Sequence, residues 1–287
     1  MRLLKQDSNG ELVMEKFFDT KVPAYVILSH TWRAENDEVT FIDFKEGTWR
    51  NKPGSAKLHF CARQAPKDGY LYFWIDSCCI DNTNLTELSE AINSMFQWYK
   101  EAKRCYVYLS DVPSPSADPA WESAFRQSLW FTRGWTLQEL LAPQDLDFFS
   151  KENEKNENEK LGSKASLEQY IHEITGIPVQ ALHGNDLSQF SPRERLSWAR
   201  KRNTTRQEDK AYCLLGIFGI SMGLRYGERD MAWKRLIDKV NKMPGSDVKQ
   251  ESQSEGKIEP GEIEGNANSE YTKRHLLSCK SSSFSVH

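Results

Sequence analysis

Four short, almost purely apolar runs, each ending in a polar cluster, constrain this chain most. They are Ala24-Tyr25-Val26-Ile27-Leu28-Ser29, Leu71-Tyr72-Phe73-Trp74-Ile75-Asp76, Cys105-Tyr106-Val107-Tyr108-Leu109-Ser110-Asp111 and Leu146-Asp147-Phe148-Phe149-Ser150. A strand with one solvated face alternates apolar and polar residues, so a run without alternation reads as a strand covered on both faces. Helical spacing fills the gaps. Ala56, Leu58, Cys61, Ala62 and Ala65 share a face ahead of Pro66 and Gly69, and Asn84-Leu85-Thr86-Glu87 has the form of a capping box before Leu88, Ala91, Ile92, Met95, Phe96 and Tyr99. Strands separated by helices predict an α/β fold with a parallel sheet flanked by helices. Ligands bind such sheets beyond the carboxyl ends of the strands, which makes Ser29-His30-Thr31-Trp32-Arg33, Asp76-Ser77 and Ser110-Asp111 one candidate rim.

Arg133-Gly134-Trp135-Thr136-Leu137-Gln138-Glu139-Leu140-Leu141-Ala142-Pro143 reads as a glycine turn, with backbone angles other residues avoid, feeding a short helix that proline ends. One helical turn separates Trp135 from Glu139, so indole and carboxylate share a face. Glu139 is then either a catalytic carboxylate beside an aromatic wall or a solvated helix glutamate, and its place in the loop before the fourth strand favours the first. His30 reads equally as a ligand-binding group or a loop histidine bonded to backbone. Asp76 reads as a substrate contact, or as a group that caps the next element or pairs with Arg133.

Around this core, Arg2 to Val13 predicts an edge hairpin turning at Asn9-Gly10. The first domain runs over residues 1–150. A charged loop follows at 151–165, with KENEKNENEK from Lys151 to Lys160. Residues 166–242 predict a helical subdomain, with start signals at Ser166-x-x-Gln169, Ser191-Pro192-x-Glu194 and Thr205-x-x-Glu208, stops at Gly176 and Gly219, and a last helix carrying Trp233, Leu236, Ile237 and Val240. Residues 243–287 are rich in Ser, Glu, Gly and Lys and are expected to be disordered.

A net charge of −3 gives no basic footprint for nucleic acid. No apolar run approaches the roughly 20 residues of a membrane span, and Met1-Arg2-Leu3-Leu4-Lys5 lacks the apolar stretch of a signal peptide, so a cytoplasmic protein is expected. The six cysteines show no Cys-x-x-Cys pair and read as buried thiols, with no metal site; Cys78 and Cys79 would point to opposite faces of an extended segment. The Gly-rich phosphate loops of ATPases and dinucleotide-binding dehydrogenases are absent.

Three phrases carry a family resemblance: Tyr25-Val26-Ile27-Leu28-Ser29-His30-Thr31-Trp32, Phe73-Trp74-Ile75-Asp76-Ser77-Cys78-Cys79-Ile80-Asp81 and Arg133-Gly134-Trp135-Thr136-Leu137-Gln138-Glu139-Leu140. Together they resemble the fungal heterokaryon-incompatibility (HET) domain. Arg195-Leu196-Ser197-Trp198-Ala199 and the stretch from Thr204 to Phe218 extend that resemblance over residues 1 to about 242. The chain departs from the usual pattern at Arg33, where related sequences place glycine. A fainter likeness links Val26-Ile27-Leu28-Ser29 and Trp135-Thr136-Leu137-Gln138-Glu139-Leu140 to Toll/interleukin-receptor (TIR) domains, which implies a TIR-like, flavodoxin-like parallel sheet. In enzymatic TIR domains the glutamate of this motif cleaves NAD+; carried over, that role falls on Glu139, with Ser29, His30, Trp32, Arg33, Asp76 and Trp135 as substrate-binding groups. NAD+ is then substrate and no cofactor is implied. Breaking the nicotinamide-ribose bond releases a neutral base, so one carboxylate suffices to stabilise the oxocarbenium-like ribose. The resemblance further implies a cell-death effector in heterokaryon incompatibility that self-associates and works with an incompatibility partner, such as a NACHT/NLR-type protein. A non-catalytic interaction module using the same surface is the alternative.

Overall fold

The apolar runs do form adjacent central strands. A computed structural model describes residues 1–18, 21–155 and 157–243. Its strands are β1 (Arg2–Gln6), β2 (Leu12–Lys16), β3 (Tyr25–His30), β4 (Tyr72–Trp74), β5 (Arg104–Tyr108), β6 (Leu146–Phe149) and β7 (Lys160–Ser163), in the sheet order β2-β1-β4-β3-β5-β6-β7. β4, β3, β5 and β6 run parallel to one another. Every residue of β3 is buried, as a strand covered on both faces requires.

The helices are α1 (Phe41–Glu46), α2 (Ser55–Lys67), α3 (Asp76–Cys79), α4 (Leu85–Glu101), α5 (Trp121–Arg126), α6 (Thr136–Leu141), α7 (Glu168–Thr175), α8 (Val179–Leu182), α9 (Pro192–Ser197), α10 (Asp209–Tyr212), α11 (Leu215–Phe218) and α12 (Asp230–Val240). Asn84 caps α4 by accepting from Thr86 N and Glu87 N, and its apolar stripe buries Ala91, Ile92, Met95 and Tyr99. The box is only half formed: the Glu87 carboxylate turns to Asp81 N and Arg2 instead. Gly216 lets α11 lie directly on α4, because a Cβ there would stand 2.1 Å from Phe96 Cβ.

Several sequence expectations need correction. The sheet is mixed, not parallel throughout: β1 runs antiparallel to β2 and β4, and β7 antiparallel to β6. The hairpin turns at Gly10, with φ of 80°, and extends the sheet beyond β4. The charged stretch at 151–165 is not loop throughout, since β7 arises within it and covers the free edge of β6. Thr205-x-x-Glu208 opens no continuous helix. α10 and α11 are separate short pieces, and the Glu208 carboxylate accepts from Gly227 N and Arg229 N. Ser166 bonds Ser163 and does not cap α7, whereas Ser191 caps α9 and Gly176 and Gly219 end α7 and α11 as expected. Cys78 and Cys79 lie in helix α3, not in an extended segment; they and Cys61, Cys105 and Cys213 are buried free thiols. The expected disordered tail, from residue 244 onward, lies outside the described residues.

Candidate active site

The site forms at the carboxyl end of β3, where β4 and β5 leave it on opposite sides and their connections diverge. In an open α/β sheet that divergence creates a crevice. β3 delivers Ser29 and His30; the turn after β4 delivers Asp76 at the start of α3; the β5-to-β6 connection delivers Glu139 on α6.

Glu139 meets Ser29 directly. Ser29 Oγ donates to Glu139 Oε2 at 2.5 Å and accepts from Trp130 Nε1 at 2.8 Å. Tyr99 stands beside the pair, its hydroxyl donating to Leu28 O. Glu139 is only 3% exposed, so it is not a solvated helix glutamate. Burial, reinforced by the charge of Asp76, pushes its carboxyl up to about 8 against the opposing effects of Ser29, Tyr99 and Arg202. At neutral pH it holds a proton in this closed arrangement.

The second half of the site is ionic. His30 Nε2 is buried without a hydrogen-bond partner, 3.6 Å from Asp76 Oδ1 and 4.0 Å from Glu38 Oε1. Burial, with Lys57 and Arg33 nearby, pulls the imidazole well below its ordinary range, so His30 is neutral. Lys57 Nζ reaches both Glu38 oxygens at 2.6 Å, and Glu38 also accepts from Arg33 N. Asp76 is held up to about 6, first by burial, and accepts from Ser77 N and from Trp32 Nε1 at 2.8 Å. Two carboxyls with separated affinities for protons, one acid and one mostly ionised at pH 7, form a pattern suited to acid-base division of labour.

Of the residues singled out from sequence, the structure gathers Ser29, His30, Asp76 and Glu139, with Trp32 at the outer edge, 47% exposed. Arg33 joins through its backbone while its side chain is exposed. Trp135 donates its Nε1 to Asp209 Oδ2 at 3.3 Å, because α10 packs against that turn. Asp76 is the first residue of α3, where it accepts from Ser77 N without capping the helix, and it does not pair with Arg133, which reaches Thr205. Gly134 does not take a positive φ; it is required by close approach, since a Cβ would stand 2.5 Å from Thr204 Cγ2. Sequence reading missed Glu38, Lys57, Trp130 and Arg202. Lys57 alone left a signal, one helical turn before Cys61 on the apolar face of α2. Two surface crevices, one along α4 beside Asn93 and Ser221 and one at the amino ends of the strands beside Tyr25 and Lys103, include none of Ser29, Asp76 and Glu139.

The family model described as "Heterokaryon incompatibility protein (HET)" matches residues 25–124, a span that contains β3, Asp76 and α4. A curated relative, Vegetative incompatibility protein HET-E-1 of Podospora anserina, is 49% identical over 251 residues. The chain carries a HET domain. The alignment covers 85% of this chain but only 18% of that relative, so the chain spans less than a fifth of the relative's length. No solved structure matches the chain. Among the described residues no helix is long and apolar enough to cross a membrane, and no group of three or more His, Cys, Asp or Glu side chains is arranged to hold a metal ion.

Proposed function

We propose that this HET chain is a cytoplasmic effector of heterokaryon incompatibility that triggers cell death by cleaving NAD+ at the nicotinamide-ribose bond once it self-associates. The observation that carries the reading is the Ser29–Glu139 contact at the carboxyl end of β3, with Asp76 and His30 beside it. The order β4-β3-β5-β6 of the parallel strands is that of the first four strands of a flavodoxin-like sheet, which supports the TIR-like assignment.

Chemically, Glu139 has to present a carboxylate to the ribose as positive charge develops there. The cationic nicotinamide ring of the substrate favours that ionised form by lowering the proton affinity of a nearby acid. The exposed Trp32 and the loop carrying Arg33 would contact the dinucleotide, and His30 and Asp76 would orient ribose hydroxyls or the attacking water. Because Glu139 is buried, substrate entry requires an opening movement, and we assign it to assembly with further copies or with an incompatibility partner of the NACHT/NLR type. HET-E-1, by its name an incompatibility protein, supports the biological setting.

Measurement of nicotinamide release from NAD+ tests this directly, using protein in dilute solution and crowded until it oligomerises. Turnover by the wild type on crowding, lost in Glu139→Gln with the fold retained, is the expected result. Equal turnover in the variant, or none in oligomeric wild type, defeats the enzymatic reading. The near-complete burial of Glu139 favours the second reading, a non-catalytic module that recruits partners, in that case.

A further inference from the structure

Arg202, in the segment between α9 and α10, is a buried cation without an ion-pair partner among the described residues. It is 8% exposed, and its Nη1 donates to Arg133 O and Thr136 Oγ1, both at 2.9 Å, while Nη2 is buried and makes no hydrogen bond. Thr136 Oγ1 donates in turn to Trp130 O at 2.6 Å, and Trp130 Nε1 leads through Ser29 to Glu139. Trp130 therefore links the two groups, meeting Thr136 with its backbone carbonyl on the Arg202 side and Ser29 with its indole on the Glu139 side. Thr136 also opens the helical turn that carries Glu139.

A guanidinium keeps its charge when buried, and removing it from water is costly unless negative potential compensates. Burial lowers the proton affinity of Arg202, against which the Cys213 thiol and the Glu139 carboxyl act. Of the groups acting on Glu139, Asp76 is like-charged, Ser29 and Tyr99 are hydroxyls, and Arg202 is the cation.

We propose that Arg202 is a positioning residue for Glu139, clamping the first turn of α6 through Arg133 and Thr136 and supplying the positive charge that the ionised carboxylate faces. It touches no reacting atom and acts through the helix and the field. Its functional sense rests on Glu139 being the reacting carboxylate, but the arrangement can be tested without any turnover.

The test is a pH titration of the Glu139 carboxyl by 13C NMR on full-length, glutamate-labelled protein, with the resonance assigned by its loss in Glu139→Gln. Arg202→Met is expected to raise the midpoint by about one pH unit, a tenfold change in the ionisation constant, and Arg202→Lys to restore most of it. If Arg202→Met does not fold, Arg202→Gln replaces it, keeping a donor for Thr136 while removing the charge. An unchanged midpoint in a folded neutral variant overturns the proposal, as does a shift in Arg202→Lys as large as in the neutral variant. Nicotinamide release supplies the second reading: the acidic limb of the kcat profile moves upward with the midpoint while KM stays near its wild-type value. Absence of wild-type turnover would defeat the NAD+ reading and leave the NMR result to decide the role of Arg202.

Discussion

Replacing Glu139 by glutamine should stabilise the protein, and more so as the pH rises. The folded state holds the Glu139 proton up to about 8, against an ordinary value of 4.5, because burial beside Asp76 disfavours the charge. Between those two pH values the unfolded chain has released the proton and the folded chain has not. Stability contributed by the protonated form is therefore complete below 4.5 and is lost as the pH rises towards 8. At about 1.4 kcal/mol per pH unit, the loss is ~3 kcal/mol at pH 7 and ~5 kcal/mol above pH 8. Glutamine is neutral throughout and its carbonyl can accept the same hydrogen bond from Ser29. Urea unfolding of wild type and Glu139→Gln at pH 4, 7 and 9 should show near-equal stabilities at pH 4 and a variant advantage of ~3 kcal/mol at pH 7 that widens at pH 9. A difference that does not grow with pH would refute the reasoning, since it would mean that Glu139 is solvated in solution. A carboxyl that costs the fold this much at neutral pH is not there for packing alone.

The buried Lys57–Glu38 pair gives a second expectation: Lys57→Met leaves Glu38 unpaired beside His30 and should cost ~3–5 kcal/mol in urea unfolding, with much of that recovered by adding Glu38→Gln. A single-variant cost below ~1 kcal/mol would show that the pair is hydrated. Gly216→Ala drives a methyl against Phe96 Cβ and should cost about 1–3 kcal/mol of stability, unrelieved by Phe96→Leu because the clash is with Cβ; full rescue by that second change would contradict the packing. Asp76, held up to about 6, should give nicotinamide release a second ionisation near that pH, lost in Asp76→Asn; a profile unaltered by that substitution would remove Asp76 from the site.

Much of this protein is written locally. Unalternating apolar runs identified β3 to β6 because a strand buried on both faces has no use for a polar residue, and Asn84, Ser191, Gly176 and Gly219 marked helix ends because capping is a matter of a few adjacent residues. Ser29, His30 and Asp76 could be placed on one rim from strand direction alone. Glu139 could be placed near them, but not its contact with Ser29, 110 residues earlier in the chain. Local periodicity is silent on which edges accept a further strand, so β7 in the charged stretch went unseen and the sheet is mixed.

What only the tertiary structure decided is the state of the charges. Lys57 finds Glu38 19 residues away, while Arg202 reaches Thr136 and Trp135 meets Asp209 because segments distant in sequence pack against α6. A proton affinity depends on what surrounds a carboxyl in three dimensions, and the letters Glu-Leu-Leu specify none of it. The sequence placed an acid on a short helix near the strand ends; the fold buried it, paired it with a serine and kept its proton on at neutral pH.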